Sequence, residues 1–246
     1  MSDALSNTDI VILAGGLGTR IQPVLGDVPK LLAPIGKRTY LDILLDWLQG
    51  FGACRVVLSL GHQAARIVEY VDAHPREGLA VETVIEDAPL GTAGALRLVR
   101  PHVTSETALV MNGDSWIGAD LGALVKVHRA ENAPATLLCV HVDDAGRYGQ
   151  VEVDAESRIR AFQEKQPGAG PGLINAGVYA FGPRAWETVM ETAGPSLERD
   201  VFQTLAPGSL AAHDAGNVPF IDIGTLESLA RAAAIIGNDA GHEGDA

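Results

Sequence analysis

Short apolar runs alternate with stretches of helical period through the first half of this chain. Ile10-Val11-Ile12-Leu13 is rich in β-branched residues, is followed closely by glycines, and reads as a buried strand. Leu41, Leu44, Leu45 and Leu48 recur at helical spacing, and Gly50 and Gly52 end that pattern. Residues 55–60 read as a strand, 64–71 as a helix with Ile67, Val68 and Val71 on one face, and 81–85 as the next strand. Ala108-Leu109-Val110-Met111 is another short strand that stops abruptly at Asn112-Gly113-Asp114. Strands alternating with helices at this spacing predict an α/β fold with a mostly parallel sheet covered on both faces. Ligands of such sheets bind beyond the carboxyl ends of the strands. That rule brings together the loop after the first strand, the loop 86–94 and the turn 112–114.

The second half has a shorter rhythm. Residues 136–142, 150–153, 159–163 and 175–181 read as strands separated by Gly, Pro and Asp turns, and 197–205 reads as a helix. A strand over 220–223 carries Asp222 at its end, and a helix follows from Leu226 to about Ile236. Residues 1–8 and 237–246 are polar and read as flexible tails.

Composition narrows the class. The 246 residues suffice for one large domain with a sizeable core. A net charge of −13 argues against nucleic acid as a partner, because a polyanion requires a basic surface. Any phosphate pocket must then be locally basic, or must recruit a divalent cation. No signal-like leader precedes the first strand, and no apolar stretch approaches the roughly 18 residues that span a membrane. Cys54 and Cys139 lie in apolar, strand-like runs, so two buried reduced thiols and a cytoplasmic location are expected.

The candidate chemistry begins in the first loop, Leu13-Ala14-Gly15-Gly16-Leu17-Gly18-Thr19-Arg20, and in Pro29-Lys30 beyond it. Three glycines within four positions allow close backbone approach to a ligand, and free N–H groups beside Arg20 and Lys30 suit an anion. Gly16-Leu17-Gly18-Thr19-Arg20-Ile21 lacks the third glycine of the dinucleotide fingerprint, and Gly18-Thr19-Arg20 is not the Gly-Lys-Ser/Thr of a P-loop. An aspartate at a strand end is commonly only a turn or a cap. Asp114 and Asp222, on loops able to meet at one face, instead make a hard oxygen site suited to Mg²⁺.

Gly15-Gly16-Leu17-Gly18-Thr19-Arg20, then Pro23 and Pro29-Lys30, resembles the signature of the sugar-1-phosphate nucleotidyltransferases. Within that family, residues 27–35, Arg147-Tyr148-Gly149 and Gly172-Leu173-Ile174-Asn175-Ala176-Gly177 look most like members that guanylylate D-glycero-α-D-manno-heptose 1-phosphate. Leu31 departs from the proline that follows the lysine in many members. The resemblance implies a Rossmann-like, mostly parallel central sheet of the nucleotide-diphospho-sugar transferase type, plus a smaller antiparallel sugar-binding part. It implies one domain over residues 9–236, with a nucleotide-binding half at 9–130 and a sugar-binding half at 131–236. The hexapeptide repeats of a β-helix extension are absent, so no second acyltransferase activity is expected.

The activity implied is transfer of a nucleotidyl group from an NTP to a sugar 1-phosphate. Arg20, Lys30, Asp114, Lys165 and Asp222 are its implied catalytic residues, with Mg²⁺ on Asp114 and Asp222. Arg20 is assigned to the triphosphate, Lys30 to the reacting phosphates and Lys165 to the sugar phosphate. The nucleotide falls to Leu13, Ala14, Gly15, Gly16, Gly18, Thr19, Gly91, Thr92 and Asn112, with Glu86 and Asp87 as alternative acceptors for a guanine edge. Side-chain and backbone readout of the base remain open alternatives. The sugar falls to Tyr148, Gly149, Glu164, Lys165, Asn175 and Gly177, with Tyr148 serving either as a lid or as a core aromatic. The partners implied are GTP and a sugar 1-phosphate, with neither nucleic acid nor membrane, and a homo-oligomer is left open. Mannose 1-phosphate with GTP, heptose 1-phosphate with ATP, and a non-catalytic nucleotide-sugar sensor are the rival readings.

Overall fold

The computed structural model describes residues 3–16, 18, 20–163 and 168–239. Its strands are β1 (Asp9–Ala14), β2 (Pro34–Ile35), β3 (Arg38–Thr39), β4 (Arg55–Leu60), β5 (Ala80–Ile85), β6 (Ala108–Asn112) and β7 (Ser115–Ile117), followed by β8 (Ala135–Val142), β9 (Gln150–Val153), β10 (Ile159–Gln163), β11 (Gly172–Phe181), β12 (Ala211–Asp214) and β13 (Phe220–Asp222). The helices are α1 (Gln22–Leu25), α2 (Tyr40–Gly50), α3 (Ala64–Ala73), α4 (Gly91–Val99), α5 (Leu121–Ala130), α6 (Pro183–Glu191) and α7 (Leu226–Asp239). Strands β6, β1, β4 and β5 pair in parallel in that order and form the predicted α/β core. The side chains of β1 alternate between two cores. Ile10 and Ile12 face the one that includes Leu41, Leu44 and Leu48 of α2, whereas Val11 faces the one that includes Leu96 of α4 and Trp186 of α6.

The antiparallel strands extend this same sheet. The C-terminal half of β11 pairs antiparallel with β6, its N-terminal end meets β9 at Ile174–Gln150, and its other edge pairs with β8. The change of neighbour falls at Gly177, whose φ of +75° is open to glycine and strained for other residues. The expected sugar-binding half is therefore continuous with the nucleotide half through β11.

Three sequence expectations need correction. Residues 197–205 form no regular helix but a wide π-type turn at Leu197–Val201 followed by a 3₁₀ turn at Phe202–Thr204. Cys54 is exposed because it lies in the connection before β4, and only Cys139 is buried; both are free thiols. The leading segment is not loose as far as Leu5, which is fully buried and donates its backbone N–H to the Phe51 carbonyl at 2.9 Å. The polar residues around it hide this single apolar anchor.

Candidate active site

A cavity of about 590 Å³ opens at the carboxyl end of the parallel strands. Its lining includes Leu13 to Gly16, Gly18 and Arg20 of the first loop, Asn112, Gly113 and Asp114 after β6, and Lys30, Glu86, Gly91 and Thr92. The first loop, the 86–94 loop and the 112–114 turn thus meet where strand topology places them.

Each glycine of the first loop has its own reason. A Cβ on Gly15 would lie 2.5 Å from Glu86 Oε1, so that glycine yields room to a carboxylate of the protein itself. Gly16 has open space where its side chain would be, and Gly18 turns the chain at φ +59°. The Gly18 carbonyl then accepts the N–H groups of Ile21 and Gln22, both at 3.0 Å, which sets the start of α1 beside the cavity. Glu86 is fixed by accepting the Leu90 N–H on Oε2 at 3.1 Å. Of the two alternative acidic readers, Glu86 lines the cavity, whereas Asp87 is exposed outside it.

The two aspartates come together through a small ribbon. Chain leaving β6 passes Gly113 and Asp114 and enters β7, which pairs antiparallel with β13 so that Asp222 faces Ser115. The Ile223 N–H donates to the Asp114 carbonyl at 2.9 Å and fastens the two ends. Lys30 Nζ lies 2.8 Å from Asp114 Oδ2 and 3.8 Å from Asp222 Oδ1, so both carboxylates face one cation. Both remain partly open to solvent, at 37% and 30% side-chain exposure, as a site for a small ligand requires. Tyr40 is fully buried within electrostatic reach of the pair, and burial with the two carboxylates pushes its phenol well above the usual range. It remains a neutral phenol whose hydroxyl has no hydrogen-bond partner among the described residues.

Among the described residues no cluster of three or more His, Cys, Asp or Glu could hold a metal ion. A pair of hard carboxylates still fits Mg²⁺, which keeps several waters and completes its shell with substrate phosphates. Thr19, Glu164 and Lys165 lie outside the described residues.

The remaining sugar-side candidates do not line the cavity but gather beside it. Asn175 donates its backbone N–H to the Gly149 carbonyl at 3.3 Å, and its Oδ1 accepts the Gly177 N–H at 2.9 Å. A Cβ on Gly177 would stand 2.5 Å from Asn112 Nδ2, so this glycine makes room for a cavity-lining side chain. Tyr148 is half-buried and packs edge-on against Phe220 at 5.3 Å, against the ribbon that carries Asp222. Three cavity residues carried no usable signal in the sequence. His62 and Gln63 follow β4, with Gln63 held at φ +58°, and Glu198 lies in the wide turn that reads as an ordinary helix start.

A family model described as nucleotidyl transferase matches residues 9–238. The chain belongs to the nucleotidyl transferase family. It is 34% identical over 237 residues to the mannose-1-phosphate guanylyltransferase of Mycobacterium tuberculosis, an alignment with 94% of this chain and 65% of that protein. It is 30% identical over 224 residues to the D-glycero-α-D-manno-heptose 1-phosphate guanylyltransferase of Aneurinibacillus thermoaerophilus, covering 91% and 96% of the two chains. The fold matches two crystal structures of HddC from Yersinia pseudotuberculosis, the second complexed with GMP-PN. Their TM-scores are 0.81 and 0.80, at 30% identity and with 92% of this chain and 98% of that one covered. This nucleotidyl transferase is therefore an enzyme of the class that the first loop resembles. No helix among its described residues is long and apolar enough to cross a membrane.

Proposed function

We propose that this enzyme transfers a nucleotidyl group from an NTP to a sugar 1-phosphate and releases pyrophosphate, with GTP and D-glycero-α-D-manno-heptose 1-phosphate as its substrates and GDP-heptose as its product. The observation that carries the reading is that Lys30 and Asp114 line a cavity framed by a glycine loop, with Asp222 3.8 Å from the same Lys30 Nζ. An oxygen of the sugar phosphate attacks the α-phosphorus, and the bond to the β,γ-pyrophosphate breaks. Both partners are anions, so catalysis is positioning and charge neutralisation rather than covalent chemistry. Arg20, exposed on the cavity wall, receives the charge that builds on departing pyrophosphate. Lys30 neutralises the reacting phosphates, and Lys165 holds the sugar phosphate. Asp114 and Asp222 would hold Mg²⁺, which supplies Lewis-acid charge at the phosphates when bound.

The guanine reading is supported by the Aneurinibacillus relative, whose length this chain nearly matches, and by the neighbour complexed with GMP-PN. Glu86, held still over Gly15, offers carboxylate oxygens to the N1–H and exocyclic amine of guanine. Mannose 1-phosphate is the second sugar to test, because the mycobacterial relative is the more identical of the two. The test is pyrophosphate release from four NTPs crossed with heptose, mannose and glucose 1-phosphates, with and without Mg²⁺. One strong combination of GTP with heptose 1-phosphate, lost without metal, is the expected result. Silence in every combination overturns the reading.

A further inference from the structure

The carboxylate pair has a buried neighbour that the catalytic scheme does not use. Tyr40 opens α2, and its side chain is among the largest that are fully buried in the protein. Its backbone N–H donates to the Ala33 carbonyl at 2.9 Å, and the Ala33 N–H donates in turn to the Lys30 carbonyl at 3.0 Å. The phenol shares its apolar core with Leu31, Trp116, Ile221 and Ile223, which lie within two residues of Lys30, Asp114 or Asp222. The ring therefore belongs to the core that backs the site.

A hydroxyl in that place needs a reason. Phenylalanine fills the same space with no polar atom, whereas a buried O–H without an acceptor costs free energy. The Tyr40 hydroxyl has no hydrogen-bond partner among the described residues. Asp114 and Asp222 both act on it electrostatically, and beside them it stays a neutral phenol that can donate.

The carboxylates keep acceptor capacity to match. Lys30 Nζ takes Asp114 Oδ2 at 2.8 Å, and Ser115 Oγ stands at 3.4 Å from Oδ1. On Asp222, the Gly224 N–H donates to Oδ1 at 2.6 Å and Lys30 Nζ lies 3.8 Å from that same oxygen. Asp222 Oδ2 thus receives no donor from the described residues. Carboxylates that ligate a metal are commonly oriented by hydrogen bonds from outside the ligand shell.

We propose that Tyr40 is a positioning residue of the metal site, whose hydroxyl donates a hydrogen bond to the Asp114–Asp222 carboxylates when a divalent cation is held there. This rests on the nucleotidyltransferase reading above. The Lys30 ammonium meets the same two carboxylates as a charge and repels a cation. A neutral phenol can orient them without that repulsion. The free protein bears the cost of the unpaired hydroxyl, and the loaded site removes it.

The test is calorimetric titration of Mn²⁺ into the full chain and into its Tyr40→Phe variant, without nucleotide and with β,γ-imido GTP, beside thermal melts in EDTA. Tyr40→Phe should bind Mn²⁺ about 10–100-fold more weakly, the range for losing an outer hydrogen bond to a metal ligand. Its melt in EDTA should be unchanged or shifted upward, because an unpaired polar group leaves an apolar core. A structural bond would show the opposite, so a Tm several degrees below wild type in EDTA overturns the proposal. Mn²⁺ affinity within about twofold of wild type overturns it too. A protein that releases no pyrophosphate with any NTP and sugar 1-phosphate, yet binds Mn²⁺ with this dependence on Tyr40, loses the substrate reading and keeps the assignment of Tyr40. A wild type that binds no Mn²⁺, with or without nucleotide, overturns the metal assignment and the role of Tyr40 together.

Discussion

Lys30 Nζ lies 2.8 Å from Asp114 Oδ2, although 84 positions separate the two residues in the chain. Each residue offsets the other's charge, and both line the cavity. Replacing Asp114 with Asn keeps the shape and removes the charge that pairs with Lys30 and that is proposed to hold Mg²⁺. Turnover should fall by about 10²–10⁴-fold, the scale of several kcal/mol of lost charge stabilisation. Circular dichroism and Tm should change little, because the carboxylate is partly open to solvent. Near-normal turnover, or unaltered Mn²⁺ affinity by calorimetry, would remove Asp114 from the metal site.

Arg20 has a simpler environment, exposed on the cavity wall after the Gly18 turn. Arg20→Ala should lower kcat by about 10²–10³-fold, the range for losing one preorganised charge stabiliser of a transition state. Stability should stay within about 0.5 kcal/mol, as for surface substitutions generally. A kcat within twofold of wild type would place the arginine outside the reaction.

Much of this arrangement was legible in the sequence. The parallel core follows from the alternation of runs such as Ile10-Val11-Ile12-Leu13 with helical repeats such as Leu41, Leu44, Leu45 and Leu48. The three converging loops follow from the rule that ligands sit beyond the strand ends. What could not be read was side-chain direction. Ser196-Leu197-Glu198-Arg199-Asp200 has the composition of a capped helix start, and Ser196 does accept the Arg199 N–H at 3.2 Å. Periodicity gave no sign that the turn would widen and present Glu198 to the cavity. Gln63 and Leu5 escaped for a related reason: a left-handed backbone and a single buried apolar residue leave no repeating pattern.

Gly177 tests the seam between the two halves of the sheet. Alanine there would be forced to φ +75° and would crowd Asn112 Nδ2. Gly177→Ala should cost about 1–3 kcal/mol of unfolding free energy, measured by urea denaturation. Because Asn112 lines the cavity, the same variant should also raise KM for substrate. A stable, fully active variant would show that Asn112 moves aside freely.

Asp9 makes the fold sensitive to acid. Burial alone would raise its pKa, but the N–H groups of Ser105 and Thr104 and the Arg55 guanidinium outweigh it and hold the carboxyl below its ordinary value. The stabilisation is therefore complete above the unfolded pKa of about 3.9 and is lost as pH falls through the lower folded value. Asp9→Asn should destabilise the protein by about 1–3 kcal/mol at pH 7, where the charged acceptor counts fully. The gap between wild type and variant should narrow below about pH 4. A gap independent of pH would assign the cost to packing rather than charge.

Thr92 ties the start of α4 to the wide turn 197–201. Its hydroxyl oxygen accepts the Leu197 N–H at 2.7 Å. Thr92→Val keeps the side-chain shape and removes the acceptor, leaving that N–H without its partner at a cost of about 1–3 kcal/mol of unfolding free energy. Urea denaturation measures that cost. An unchanged stability would mean that the turn holds its shape without Thr92, and that the bond between them is a local contact with no consequence for the fold.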